Sequence, residues 1–246
     1  MKNNVRLLIY TALMTALVFI TTSIIKIPIP FTGGYIHAGD MCIFIAGILL
    51  GPVHGALAAG IGSAMADFLG GYAQWVIPTL IVKSIMGLLI GYFAKPTTQT
   101  KPYILGAMFV WIAGILTFIY TLGQSSAEMV MSLLGSSDLG EATALTQRLT
   151  SQLMVVSIGI PVAALFFWRF KKKFDVSMNQ LLSMVIAGIW MVFGYFISEG
   201  IMYGSFVASI FSIPWNIVQF TVGGVLAFLV IKALDKAKIN ASTLLK

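Results

Sequence analysis

Long apolar runs with at most one charge each, parted by short polar or glycine- and proline-rich breaks, set the pattern of this chain. Leu7 to Ile25, Val76 to Phe93, Tyr103 to Leu122, Leu149 to Trp168, Leu181 to Tyr203 and Trp215 to Ile231 each predict one apolar helix. Each is close to the roughly 20 residues that carry a helix across a hydrocarbon core. No regular alternation over segments of about ten residues points to a barrel instead. The first run exceeds a signal-peptide core and has no small-x-small cleavage site before it ends, so it reads as a retained span.

Between the first two runs the pattern changes. Lys26 to Gly34 holds Pro28, Pro30, Gly33 and Gly34 and predicts an outer loop, because proline restricts its predecessor and removes a donor. Met41 to Leu50 spans only about 15 Å as helix, and reaches further only if the helix starts near Ile36. Gly51 and Pro52 then break the run before a helix from Gly55 to Leu69, whose Gly55, Ala59, Gly62 and Ala66 form a stripe for close packing. Parity chooses between two short helices and one kinked span. Lys95 and Lys101 lie inside with Lys2 and Arg6 only if an even number of crossings separates them, and two short helices give four.

Composition fixes the class. The 246 residues are 59% hydrophobic and 9% charged, far from the roughly 25% charged of a soluble domain, so this is an all-α integral membrane protein, a helical bundle. The net charge of +7 comes from lysines and arginines in short loops, not from a stripe with interleaved aromatics, which argues against a nucleic-acid partner. Twelve of the fifteen fall on the predicted inner side, including Arg169 to Lys173 and Lys232 to Lys238. That asymmetry gives eight crossings with both termini cytoplasmic. Gly123 to Arg148, with Glu128, Asp138 and Glu141, is expected outside. Cys42 reads as a buried small hydrophobe.

A few polar residues at membrane depth carry the chemistry. Ionisable groups there are costly and mark pathways or sites. Lys83 lies roughly 10 Å below the outer surface, where it either snorkels or pairs with Asp67 at the end of the preceding helix; a structural pair and a ligand-facing charge are both open. Asp40 either caps the helix it begins or touches a ligand. Tyr195, Glu199 and Tyr203 share one helix face, suited to a polar ring system or to an internal hydrogen-bond cluster. Asn216 and Gln219 share another face at the same depth. Trp75, like Tyr72 and Trp215, either belongs to an interfacial aromatic belt or joins the site. His37 and Asp40 are too few for a metal, and no cofactor is expected. Ala12 and Ala16 place small side chains one turn apart on the first helix, where another helix of this bundle or of a partner can approach closely.

Tyr35 to Asp40 as YIHAGD, then LLGPVHGALAAGIGSAMADFLGGY, VIPTLIVKSIMG, MVFGYFISEGIMYG and IPWNIVQFTVGG together resemble the substrate-binding S components of energy-coupling factor (ECF) vitamin transporters, riboflavin-type branch. The resemblance covers residues 1 to about 96 and 181 to 236. It implies a six-span core at 1–100 and 173–246 within one transmembrane domain of 1–246; 101–172 departs from that pattern and reads as an inserted helical hairpin carrying an extracellular segment. It implies a vitamin-binding subunit in a bacterial cytoplasmic membrane, docked on a transmembrane coupling subunit with two ATPases. Ala12 and Ala16 match the pattern through which such proteins meet that scaffold. The expected ligand is a small aromatic vitamin or precursor, a B6-like or pyrimidine compound ahead of riboflavin. The competing readings are a self-sufficient secondary transporter and an intramembrane enzyme. The first lacks inverted repeats with broken helices, and the second lacks an HExxH, a GxSxG or paired intramembrane aspartates.

Overall fold

The computed structural model describes residues 2–29, 33–95, 100–123, 131–132, 138–170 and 177–244. In chain order the elements are α1 (Lys2–Ile24), β1 (Lys26–Pro28), β2 (Tyr35–His37), α2 (Asp40–Leu69), a 3-10 turn (Ala73–Trp75), α3 (Val76–Phe93), α4 (Thr100–Gly123), α5 (Leu139–Phe170), α6 (Met178–Tyr203), α7 (Phe206–Ile210), α8 (Ile213–Lys236) and α9 (Ala241–Leu244). Six helical stretches among the described residues are long and apolar enough to cross a membrane: 4–24, 40–69, 73–93, 105–123, 178–203 and 206–236. The expected span at Leu149–Trp168 lies within α5. Leu8, Phe109, Val155 and Ile201 stand exposed on the outside of the bundle. Apolar side chains facing both inward and outward suit a protein whose solvent is lipid.

The 30 residues of α2 do not form one rod. Gly51 has φ +79° and ψ −175°, which breaks the helix before Pro52. Packing against α3 shows what the break does. A Cβ placed on Gly47 would strike Gly87 O, and one on Gly55 would strike both Gly47 Cα and Gly87 O. In an unbroken helix Gly47 and Gly55 would be about 12 Å apart. Nearer the other end of α3, Gly60 meets Leu80 O and Ser84, and Lys83 reaches Asp40. Both arms of α2 therefore run from the Gly51 end toward the same opposite end, as an antiparallel pair. This is the two-helix arrangement that parity selects. It also explains the stripe of Gly55, Ala59, Gly62 and Ala66, all buried, with Gly62 against Thr15 O and Val18 of α1.

The conformation at Gly51 belongs to a region that side-chain-bearing residues reach only under strain of about 1–3 kcal/mol. Gly51→Ala is accordingly expected to lower stability by about that amount, although nothing lies within 4 Å of its position. Gly106→Ala, in open space inside α4, should be neutral or stabilising. Unfolding of the two purified variants checks this; equal midpoints would remove the strain argument.

Two sequence expectations change here. The first outer loop is a short antiparallel hairpin, with Lys26 opposite His37 and Pro28 opposite Tyr35. Ile36 thus belongs to a strand, and the first arm of α2 starts only at Asp40. The stretch from Gly204 to Pro214 is more than a loop. Gly204, with φ +66°, ends α6 in the left-handed conformation that suits a helix C-terminus. The chain then makes α7 and buries Ile210, Phe211, Ser212 and Ile213.

The helices α4 and α5 stand to one side. Trp111 of α4 meets Phe220 of α8 edge to face, and Phe118 meets Phe196 of α6. Helix α1 packs instead on α2. Residues 124–130 and 133–137, with Glu128, lie outside the described residues, as do Lys171 to Lys173.

Candidate functional site

Each helix brings its polar residues on one stripe, set by the three- and four-residue periods of a helix face. Trp75 at the end of the 3-10 turn leads into Thr79 and Lys83 down α3, Met191, Tyr195, Glu199 and Tyr203 follow one another up α6, and Asn216 and Gln219 down α8. With α2 and the β-hairpin they converge at one end of the bundle.

At the base lies an ion pair. Lys83 Nζ is 2.5 Å from Asp40 Oδ1, and neither side chain is accessible. The ammonium also meets Met191 Sδ at 2.9 Å and the Tyr195 ring at 5.5 Å from its centroid. Gln219 Nε2 donates to Asp40 Oδ2 at 3.0 Å, and Gln219 Oε1 accepts from the His37 backbone N–H at 3.0 Å. Both carboxylate oxygens and both ends of the amide are thus used. This corrects the expected pairing: Lys83 joins Asp40, not Asp67, and does not snorkel. Asp40 is likewise no cap for its own helix, since the α2 N-terminus has no side-chain cap.

Asp67 sits in a second network. The Tyr35 hydroxyl donates to Asp67 Oδ1 at 2.5 Å, the Thr79 hydroxyl is its other partner, and Tyr195 bonds Thr79 at 3.3 Å. Lys26 lies over the rings of Tyr35 and Tyr72, 4.6 and 4.9 Å from their centroids. Burial, with Asp67 alongside, pushes the Tyr35 hydroxyl far above the usual phenol range. It therefore stays a donor. Burial, reinforced by the Lys83 charge, pushes His37 down to about 3, so its imidazole is neutral. Its Nδ1 accepts from the Gly39 backbone N–H at 3.0 Å, which leaves the proton on Nε2.

The hairpin roofs these networks. Among the bonds that hold it are Trp75 Nε1 to Gly33 O at 3.2 Å, Tyr35 to Asp67, the His37 N–H to Gln219, and Lys26 Nζ to Ala66 O at 3.4 Å. Below the roof is a cavity of about 30 Å3, lined by Thr22 of α1, Ile29, Gly34, Tyr35 and His37 of the hairpin region, Asp67, Trp75 and Thr79, Tyr195 and Glu199 of α6, and Asn216 and Gln219 of α8. That volume admits water but no aromatic ring, so a ring enters only as roof side chains move. Trp75 and Tyr195 are edge to face with centroids 5.8 Å apart.

The structure brings together Asp67, Trp75, Tyr195, Glu199, Asn216 and Gln219 as lining residues. It sets Asp40 and Lys83 directly behind them. Tyr203 is half exposed and outside the lining, with its ring 6.4 Å from that of Trp75. Trp75 is buried, while Trp215 is exposed as an interfacial residue would be. Sequence reasoning missed Tyr35, Thr22 and Thr79. Thr79 carries a signal, because it stands midway between Trp75 and Lys83 on their stripe; Thr22 carries none. Ala12 and Ala16 do not line the cavity and are exposed on α1, so they do not pack within the described bundle. Among the described residues no three His, Cys, Asp or Glu side chains cluster to hold a metal.

Comparison with known proteins agrees with this architecture. The family described as "ECF-type riboflavin transporter, S component" matches residues 2–172 and, in an overlapping segment, 153–236. An uncharacterized protein in a gap 3′ region of Pyrococcus woesei is 38% identical over 102 residues, which is 42% of this chain and 68% of that relative. A UPF0397 protein of Streptococcus pneumoniae strain Hungary19A-6 is 32% identical over 80 residues, 32% of this chain and 43% of its own length. The same identity and coverage hold for a UPF0397 protein of strain CGSP14. The chain thus spans less than half the length of those streptococcal relatives. No solved structure matches it.

Proposed function

We propose, from the premise that this chain belongs to the family of S components of ECF-type riboflavin transporters, that it captures a small aromatic vitamin or vitamin precursor outside the cell and hands it to an ATP-driven coupling module. As a family member it is a multi-pass membrane protein and a transporter's substrate-binding subunit, and that family is not one of enzymes. The ligand class is our reading. One observation supports it: the cavity combines an aromatic wall with a few buried polar groups drawn from both ends of the chain, the make-up of a small-molecule site. A B6-like or pyrimidine compound stands ahead of a three-ring flavin in this reading, because a single ring needs less displacement of the roof side chains to enter.

The site sits at the end of the bundle that bears the β-hairpin, away from the strongly basic loops, which makes it the outward-facing end by the positive-inside rule. The cell membrane is the corresponding location. The partners are a transmembrane coupling subunit and two ATPases. We read 101–172 as an inserted hairpin. Its first helix, α4, packs on α6 and α8, which leaves the exposed face of α1 open for docking.

The test is reconstitution in proteoliposomes with and without an ECF coupling module. Uptake of a labelled vitamer that requires both the module and ATP supports the reading. Uptake by this chain alone, driven by an ion gradient, would replace it with a secondary transporter.

A further inference from the structure

Four buried side-chain polar atoms among the described residues have no hydrogen-bond partner: Thr22 Oγ1, Ser63 Oγ, Trp111 Nε1 and Glu199 Oε2. Two of the four residues, Thr22 and Glu199, line the same cavity. Every other carboxylate of the site is answered, Asp40 by Lys83 and Gln219, and Asp67 by Tyr35 and Thr79. Glu199 is 2% exposed, and its other oxygen lies beside the Ser212 hydroxyl. No lysine or arginine is among the described lining residues, and the one buried lysine at the base is committed to Asp40. A carboxylate oxygen held in an apolar wall with no donor is costly. It is retained where an incoming group completes it.

Resting on the reading of this cavity as the substrate site, we infer that it selects a small heteroaromatic base whose protonated N–H edge donates to Glu199 Oε2. An aminopyrimidine or aminopyridine has that edge, an exocyclic amino group beside a ring nitrogen, in the plane of a ring that can lie against the edge-to-face pair of Trp75 and Tyr195. Thr22 Oγ1 then takes a hydroxyl or amino substituent on the opposite rim. The charge of the base compensates the carboxylate, which no lining residue does. Neither a neutral ring without an N–H edge nor a bulky flavin meets both conditions.

The experiment measures binding of matched probes to the purified full chain: 4-amino-2-methylpyrimidine, its 4-methoxy analogue, which has the same ring but no donor, and riboflavin. The amino compound is expected to bind at least about tenfold more tightly than the methoxy one, since a hydrogen bond to a charged group contributes that much or more. Glu199→Gln, which keeps the shape, should shrink the ratio to about twofold or less while the unfolding midpoint stays in place. Equal affinity for the two pyrimidines, a ratio untouched by Glu199→Gln, or binding of riboflavin alone would each overturn the inference. Riboflavin binding would do so while leaving the S-component reading intact. Module-independent uptake would instead remove that reading.

Discussion

Lys83→Met is expected to cost about 3–5 kcal/mol of stability, the usual penalty for removing one partner of a buried ion pair. The ammonium and the Asp40 carboxylate are both wholly inaccessible and 2.5 Å apart. Deleting the cation leaves Asp40 charged at membrane depth with only the Gln219 amide to answer it. That loss is a large share of the 5–15 kcal/mol that stabilises an ordinary domain. The damage should travel to the roof, because Gln219 links Asp40 to the His37 backbone, and ligand affinity should fall with it. A second change sorts the pairings. Asn at position 40 keeps an acceptor for Gln219 but carries no charge, so Asp40→Asn combined with Lys83→Met should recover about half or more of the loss. Asp67→Asn should not rescue Lys83→Met, since Asp67 is bonded to Tyr35 and Thr79. Unfolding midpoints of the detergent-purified single and double variants decide it. Rescue by the change at position 67 and none at position 40 would restore the pairing that sequence distance alone favours.

That comparison shows how far the residues could be read without coordinates. Membrane helices announce themselves because lipid demands long apolar runs with few charges, and Val76–Phe93, with Lys83 its one charge, is found where the run predicts it. The reversal at Gly51 was legible through charge parity, a constraint on the chain as a whole. The depth of Lys83, Glu199, Asn216 and Gln219 was legible too, because polar groups in lipid are too costly to be accidental. Partner choice was not. Asp40 and Asp67 both lie toward the hairpin end of the two arms of α2, Asp40 opposite Lys83 and Asp67 one turn further out opposite Thr79, a difference that a long lysine side chain can span. Only the rotation of each arm about its axis decides which carboxylate faces it, and helices that are apolar on all sides carry little pattern to fix that rotation. The hairpin was hidden for a different reason: three-residue strands beside prolines look like any loop until their partner is seen.

Ala12→Leu with Ala16→Leu is expected to abolish coupled uptake, by about tenfold or more, while ligand affinity changes by less than about twofold. The asymmetry follows from where α1 turns its faces. Thr11, Met14, Val18 and Thr22 are buried against the rest of the bundle, and Val18 meets Gly62 of α2. Ala12 and Ala16 look the other way and are exposed. Leucines there meet lipid alone in the isolated subunit, so neither the fold nor the cavity has reason to change. In a docked assembly the same positions are where a partner helix approaches closely over small side chains. Each added isobutyl group holds the helices apart, and a loss of only about 1.4 kcal/mol in docking is already tenfold. Ala113→Leu serves as the control, since Ala113 is exposed on α4, which packs on α6 and α8. It should leave uptake unchanged. The measurement pairs equilibrium binding by the purified subunit with ATP-dependent uptake by the reconstituted complex. Equal loss of both in the α1 variant, or equal loss of uptake in the α4 control, would sink the assignment of this face to docking.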